Sequence, residues 1–159
     1  HAPALRRFLR DLLQDEGAAD EATQEAFVRA HARLSTLQES GRFGPWLFRI
    51  ARHVALEELR ERRGRPTDDE EALSGAPTEL PSPEALLLHA EALSMFRQAL
   101  GELPEERRAC LLLAVDHRLG YDDIASVMGW SATKVRNELH RAREALRGSL
   151  ARRAGGGRR

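Results

Sequence analysis

The chain has 159 residues, of which 42% are hydrophobic, 31% charged and only 5% aromatic, and its mean hydropathy is −0.51. No apolar run approaches the ~20 residues of a membrane-spanning helix, no signal-peptide pattern opens the chain, and the single thiol, Cys110, cannot form an internal disulfide, so membrane insertion and secretion are not expected. The net charge of zero is unevenly spread: residues 64–91 carry one Arg against seven acids, whereas residues 131–159 carry eight Arg and one Lys against two acids, a pattern that suggests one nucleic-acid-facing element in a protein that is not generally basic.

Scarce aromatics and the absence of long Val/Ile/Thr runs predict an all-α fold. Residues 2–14 read as a helix, with Leu5, Phe8, Leu9, Leu12 and Leu13 recurring at spacings of three and four. Because His1 rather than Met stands first, this helix is expected to lack part of its start. A second helix is expected over about 18–34, with Ala22, Ala26, Ala30 and Leu34 on one stripe. Ser35 to Arg42 has loop chemistry. A third helix over about 44–63 tolerates Pro45 in its first turn and turns Trp46, Leu47, Ile50, Ala51, Val54 and Leu59 inward.

Residues 64–83 combine prolines, small residues and the acidic run Asp68 to Glu71 without helical periodicity. So long a structureless stretch is unusual inside one compact domain. The expected organisation is therefore two small helical domains, 1–63 and 84–151, joined by a flexible linker at 64–83 and followed by a disordered basic tail at 152–159. Ser82-Pro83-Glu84 is a good helix start. Further helices are expected over about 84–101, 104–118 and 121–128. The last is capped by Ser131 and runs to about 151. Cys110, inside Cys110-Leu111-Leu112-Leu113-Ala114, is expected to be a buried core residue.

Tyr121 to Arg147 has helix-turn-helix spacing: a short helix, a tight turn at Gly129-Trp130-Ser131, then a long Arg-rich helix. At about 100° per residue, Val135, Leu139, Ala142 and Leu146 form one apolar stripe. Thr133, Asn137, His140 and Glu144 lie opposite, flanked by Arg136 and Arg141. Arg forks onto guanine and Asn onto adenine in the major groove. Arg143 and Arg147 are better placed for phosphates or packing. The six histidines show no metal-ligand spacing. No nucleophile–base pair or phosphate-cradling glycine loop appears either, so neither a cofactor nor an enzyme is expected.

Several of these motifs resemble the extracytoplasmic-function (ECF) RNA polymerase sigma factors. Leu103-Pro104-Glu105-Glu106-Arg107-Arg108, Gly120-Tyr121-Asp122-Asp123-Ile124-Ala125 and Leu139-His140-Arg141-Ala142-Arg143 are similar to region 4. Ala19 to Ala30 is similar to region 2.2, and Phe43-Gly44-Pro45-Trp46-Leu47-Phe48-Arg49-Ile50-Ala51-Arg52 to regions 2.3 and 2.4. The resemblance implies a cytoplasmic protein that directs polymerase to promoters and assists melting. Its implied partners are core RNA polymerase (β′ clamp helices and β flap), promoter DNA and an anti-sigma factor.

Thr133, Lys134, Arg136, Asn137, His140, Arg141 and Arg143 would then contact the −35 element. Arg42, Arg49, Arg52, His53 and Arg60 would line the −10 element, where single-strand capture needs cations and stacking surfaces. Asp20, Glu21, Gln24, Glu25 and Arg29 would face the polymerase. Ser35 to Arg42 occupies the place of the family's −10 reading loop. Trp46 fits either base stacking or, from its place on the apolar side, the core.

Three departures from the family pattern stand out. His53 replaces a common Asn. Asn137 and Glu138 stand where Ser and Arg are common, and Gly120 replaces a Ser cap. Glu138 brings a negative charge towards DNA. It therefore supports an alternative, a sigma-like mimic that sequesters an anti-sigma factor without productive promoter binding. A plain helix-turn-helix regulator would leave the first 63 residues unexplained.

Overall fold

The computed structural model describes residues 1–64 and 82–156. The acidic run Asp68 to Glu71 of the expected linker and Gly157 to Arg159 of the expected tail lie outside the described residues. Among the described residues the protein is all-α. The helices are α1 (Ala2–Leu13), α2 (Glu16–Ala32), α3 (Phe43–Arg63), α4 (Pro83–Glu102), α5 (Glu105–Val115), α6 (Tyr121–Met128) and α7 (Ala132–Gly155), with single 3-10 turns at Leu34–Thr36 and Ser40–Arg42.

Helix α1 buries Leu5, Phe8, Leu9, Leu12 and Leu13, and the chain leaves it through Gln14 in a left-handed conformation. Asp15 starts α2, its Oδ1 accepting from the Ala18 amide at 2.9 Å. The buried stripe of α2 is all alanine (Ala19, Ala22, Ala26 and Ala30), which lets its backbone come close to α1 and α3. Leu34, expected on that stripe, is 52% exposed, because α2 ends at Ala32 and the 3-10 turn after it breaks the helical register. Helix α3 turns Leu47, Phe48, Ile50, Ala51, Val54 and Ala55 inward. Trp46 is only half-buried, its ring 5.7 Å from that of Phe43.

Downstream, Ser82 and Ser131 cap α4 and α7 by accepting from the amides of Ala85 and Lys134. Gly129 ends α6 at φ 68°, a left-handed turn that glycine adopts without a Cβ penalty. The Trp130 amide then reaches back to the Ala125 carbonyl at 3.0 Å. This turn sets the angle between α6 and α7. Helix α7 continues to Gly155, past the expected end near 151. Arg153 donates to Gln98 Oε1 at 2.6 Å and pairs with Glu102, to which Ser149 also donates, so tertiary anchoring carries the helix through residues expected in the tail. Cys110 is buried in the core as expected, and burial pushes its thiol up to about 11, which leaves it an inert apolar side chain.

The two halves on either side of residues 65–81 are packed together: α1 lies on α5 and α3 on α6, within one continuous buried cluster. His117, in the turn after α5, sits with its ring 5.8 Å from Phe8 and 4.8 Å from Phe48. Arg108 crosses the same junction almost fully buried. It donates to the carbonyls of Leu12 (2.6 Å), Leu100 (2.9 Å), Gly101 (3.0 Å) and Leu103 (3.1 Å). One guanidinium therefore gathers carbonyls near the ends of α1 and α4, where intrahelical partners run out; of these, Leu100 also accepts from the Leu103 amide at 3.1 Å. Arg42–Asp123 and Arg52–Glu106, each at 3.4 Å, and Arg63–Glu105 complete the junction.

Candidate nucleic-acid interface

Helix α7 presents two opposed faces. Val135, Leu139 and Ala142 are buried against α5 and α6. Thr133, Lys134, Arg136, Asn137, His140, Arg141 and Arg143, the residues expected at a −35 element, are all exposed. The structure brings these seven onto one convex helical surface near the amino-terminal half of α7, free of the protein's own interior.

Two aromatic supports steady that surface. The Lys134 ammonium lies 4.5 Å from the Trp130 ring centroid, and the Arg136 guanidinium 5.6 Å from that of Tyr121, within cation–π range. Sequence reasoning assigned neither aromatic this role. The signal was there in outline, since Trp130 lies in the turn and Tyr121 opens α6, but only the crossing of α6 and α7 brings Tyr121 under Arg136.

Glu138 does not project towards the outward face. Its side chain is 13% exposed and turned to α5. There Oε2 accepts from Arg107 Nε at 2.6 Å, while Oε1 accepts from Arg141 Nη1 at 2.9 Å. The hydrogen bond from Arg107 holds the Glu138 carboxyl below its ordinary range, so it is ionised at neutral pH and neutralised by its neighbours.

The residues expected at a −10 element divide. Arg49, His53 and Arg60 are exposed on α3. Partial burial, helped by Arg52 and Arg49, lowers the His53 pKa, so its imidazole is neutral at physiological pH. Arg42 is exposed but tied to Asp123 of α6. Arg52 is 7% exposed, faces Glu106 and leaves its Nε without a hydrogen-bond partner. In this packed arrangement Arg52 is closed off from nucleic acid. Near the 3-10 turns, a cleft of about 230 Å³ is lined by Gln38, Glu39, Arg42, Trp46 and Arg49, with Ser126 of α6 on its far side. The expected reading loop and Trp46 therefore share one concavity, and α6 forms part of its wall.

On α2, Asp20, Glu21, Gln24 and Glu25 are exposed, and Arg29 is half-buried. Arg29 forks onto Glu57 of α3 at 2.7 and 3.0 Å and takes Glu25 at 2.7 Å, so much of its donor capacity ties α2 to α3. Val28, which sequence reasoning passed over, is 63% exposed. It lies four residues after Gln24, and that spacing was the available signal.

Residues 1–65 match the family model for sigma-70 region 2, and residues 93–146 that for sigma-70 region 4. The chain is 35% identical over 142 residues to the RNA polymerase sigma-H factor of Pseudomonas aeruginosa, covering 84% of this chain and 74% of that protein. It is 30% identical over 144 residues to the ECF RNA polymerase sigma factor EcfG of Rhodopseudomonas palustris (91% and 77% covered). It is also 32% identical over 138 residues to the ECF RNA polymerase sigma-E factor of Escherichia coli (82% and 72%).

Among solved structures, the fold matches the sigma factor RpoE of Bartonella quintana in complex with the anti-sigma factor NepR. The TM-score is 0.77 at 23% identity, covering 94% of this chain and 91% of that one. It also matches CnrH in complex with the cytosolic domain of CnrY, with a TM-score of 0.66 at 25% identity, covering 95% and 82%. Region 2 and region 4 in this order, at this identity and coverage, place the chain in the ECF RNA polymerase sigma factor family.

Proposed function

We propose that this sigma factor acts in the cytoplasm and grips a promoter at two places with two modules, 1–63 and 84–151, while the first also holds core RNA polymerase. The observation that carries this reading is the exposed face of α7: every candidate −35 residue lies on it, and the apolar face opposite anchors the helix. An α-helix fits the major groove of B-DNA. Arg136, Asn137 and Arg141 reach base edges, and Lys134 and Arg143 reach phosphates. Arg49, His53 and Arg60 follow the displaced −10 strand, with the cleft beside Trp46 receiving an unpaired base. Glu21, Gln24 and Val28 contribute to the polymerase-facing strip of α2. An anti-sigma factor holds the protein inactive.

In this reading Arg42 and Arg52 become available only when α3 parts from α6, which holds Arg42 through Asp123, and from α5, which holds Arg52 through Glu106, so promoter engagement is coupled to separation of the two halves. The sigma-like mimic loses its main support, because the Glu138 charge is directed at Arg107 and Arg141 and away from the outward face.

Run-off transcription with core polymerase, with and without the protein, tests the reading. Transcripts that depend on both the protein and a specific promoter are expected. Binding to core polymerase that never yields such transcripts would overturn the reading in favour of the mimic.

A further inference from the structure

We infer that Glu138 is a positioning residue that orients Arg141 and the α7 helix for promoter discrimination. The inference rests on the reading of α7 as the −35 element.

Both carboxylate oxygens are engaged, one by Arg107 of α5 and one by Arg141 one turn further along α7. The Arg107 bond joins the inner side of α7 to α5 and resists rotation of α7 about its own axis. That rotation decides whether Arg136 and Asn137 point into a groove or past it. The Arg141 bond takes a single N–H of a guanidinium whose side chain is 61% exposed, leaving its other donors accessible to solvent or to a ligand. A free surface arginine samples many rotamers, and binding must select one of them. Holding Arg141 beforehand lowers that cost.

Glu138 also neutralises part of a cluster that would otherwise present two uncompensated cations. Excess cationic charge strengthens contact with any phosphate backbone, whatever its sequence. Glu138 therefore favours preferred over non-specific DNA in two ways: it fixes the geometry of the reading face, and it suppresses indiscriminate attraction.

The test is a pair of equilibrium titrations of the holoenzyme, one on duplexes selected from a random pool by core polymerase carrying this protein, the other on scrambled duplexes of equal length. Glu138→Gln keeps the shape and a carbonyl acceptor but removes the charge. It is expected to bind scrambled DNA more tightly, with a steeper dependence on salt, and to lower the preferred-to-scrambled affinity ratio about three- to fivefold, the size an exposed ion pair supports. The swap R107E/E138R keeps an α5–α7 ion pair, and so the packing, but sets a cation beside Arg141; its ratio is expected to stay low.

A wild-type ratio in Glu138→Gln overturns the inference. A wild-type ratio in the swap overturns it too, by showing that the α5–α7 tie alone suffices. Arg136→Ala separates the two levels. If it lowers the ratio while Glu138→Gln does not, only the role of Glu138 falls. If Arg136→Ala also leaves the ratio unchanged, the −35 reading itself falls.

Discussion

At the scale of single residues, arginines of one chemical type do different work according to what surrounds them. Arg136 stands exposed over Tyr121, while Arg108 is buried on four carbonyls. Arg136→Ala is expected to cost about 1–3 kcal/mol of discrimination at one base pair of the −35 element, read as relaxed preference at that position in competition binding. Arg108→Met would take their side-chain donor from the carbonyls of Leu12 and Leu103, while Leu100 keeps the Leu103 amide and Gly101 lies at the surface. A loss of about 2–4 kcal/mol is expected, about 1–2 for each buried acceptor left without a donor, seen as a lower urea midpoint for the whole chain.

The residue types of the candidate surfaces were legible in the sequence, because helical periodicity alone sorts Val135, Leu139 and Ala142 from Arg136, Asn137 and His140. The partners were not. Nothing local tells that Arg52 meets Glu106, that Arg29 meets Glu57, or that Glu138 turns inward to Arg107, since each bond joins helices far apart along the chain.

At the scale of elements, the turn between α6 and α7 is set by two residues. Gly129 has a positive φ, and a methyl group added to it would meet open space, so Gly129→Ala costs backbone strain alone, about 1 kcal/mol. Ser131→Ala removes the cap on the Lys134 amide and is expected to cost about 1 kcal/mol as well. Thermal melting of each variant checks both values, and a cost near zero for Ser131→Ala would show that solvent replaces the cap. Helix existence and order were readable from caps, prolines and apolar spacing. The end of α7 was not, because Gly148, Gly155 and a run of arginines predict fraying; the grip of Gln98, Glu102 and Ser149 on Arg153 overrides local propensity.

At the scale of the whole molecule, two sequence-distinct halves share one buried cluster, and the junction includes a neutral histidine. Burial between Phe8 and Phe48 lowers the His117 pKa, an effect added to by Arg7 and opposed by Asp116 and Asp11. The packed state therefore binds fewer protons than a separated one, in which His117 returns towards 6.5. Stability of the packed arrangement is full above that value and falls as pH drops below it. The radius of gyration from small-angle scattering is expected to rise between pH 8 and pH 5, and His117→Phe to remove that rise. An unchanged radius in the wild type would contradict this. The sequence shows two modules and a linker-like stretch. It does not show their packing, which depends on surfaces complementary only once each half is folded.

The central claim, that α7 and α3 hold separate stretches of one promoter, is tested most directly by hydroxyl-radical footprinting of the holoenzyme on a selected promoter. Two protected stretches are predicted, with Arg136→Ala weakening upstream protection alone and Arg49→Ala weakening the downstream stretch alone. Loss of both stretches together in Arg136→Ala, or upstream protection as strong as that of the wild type, would contradict the account.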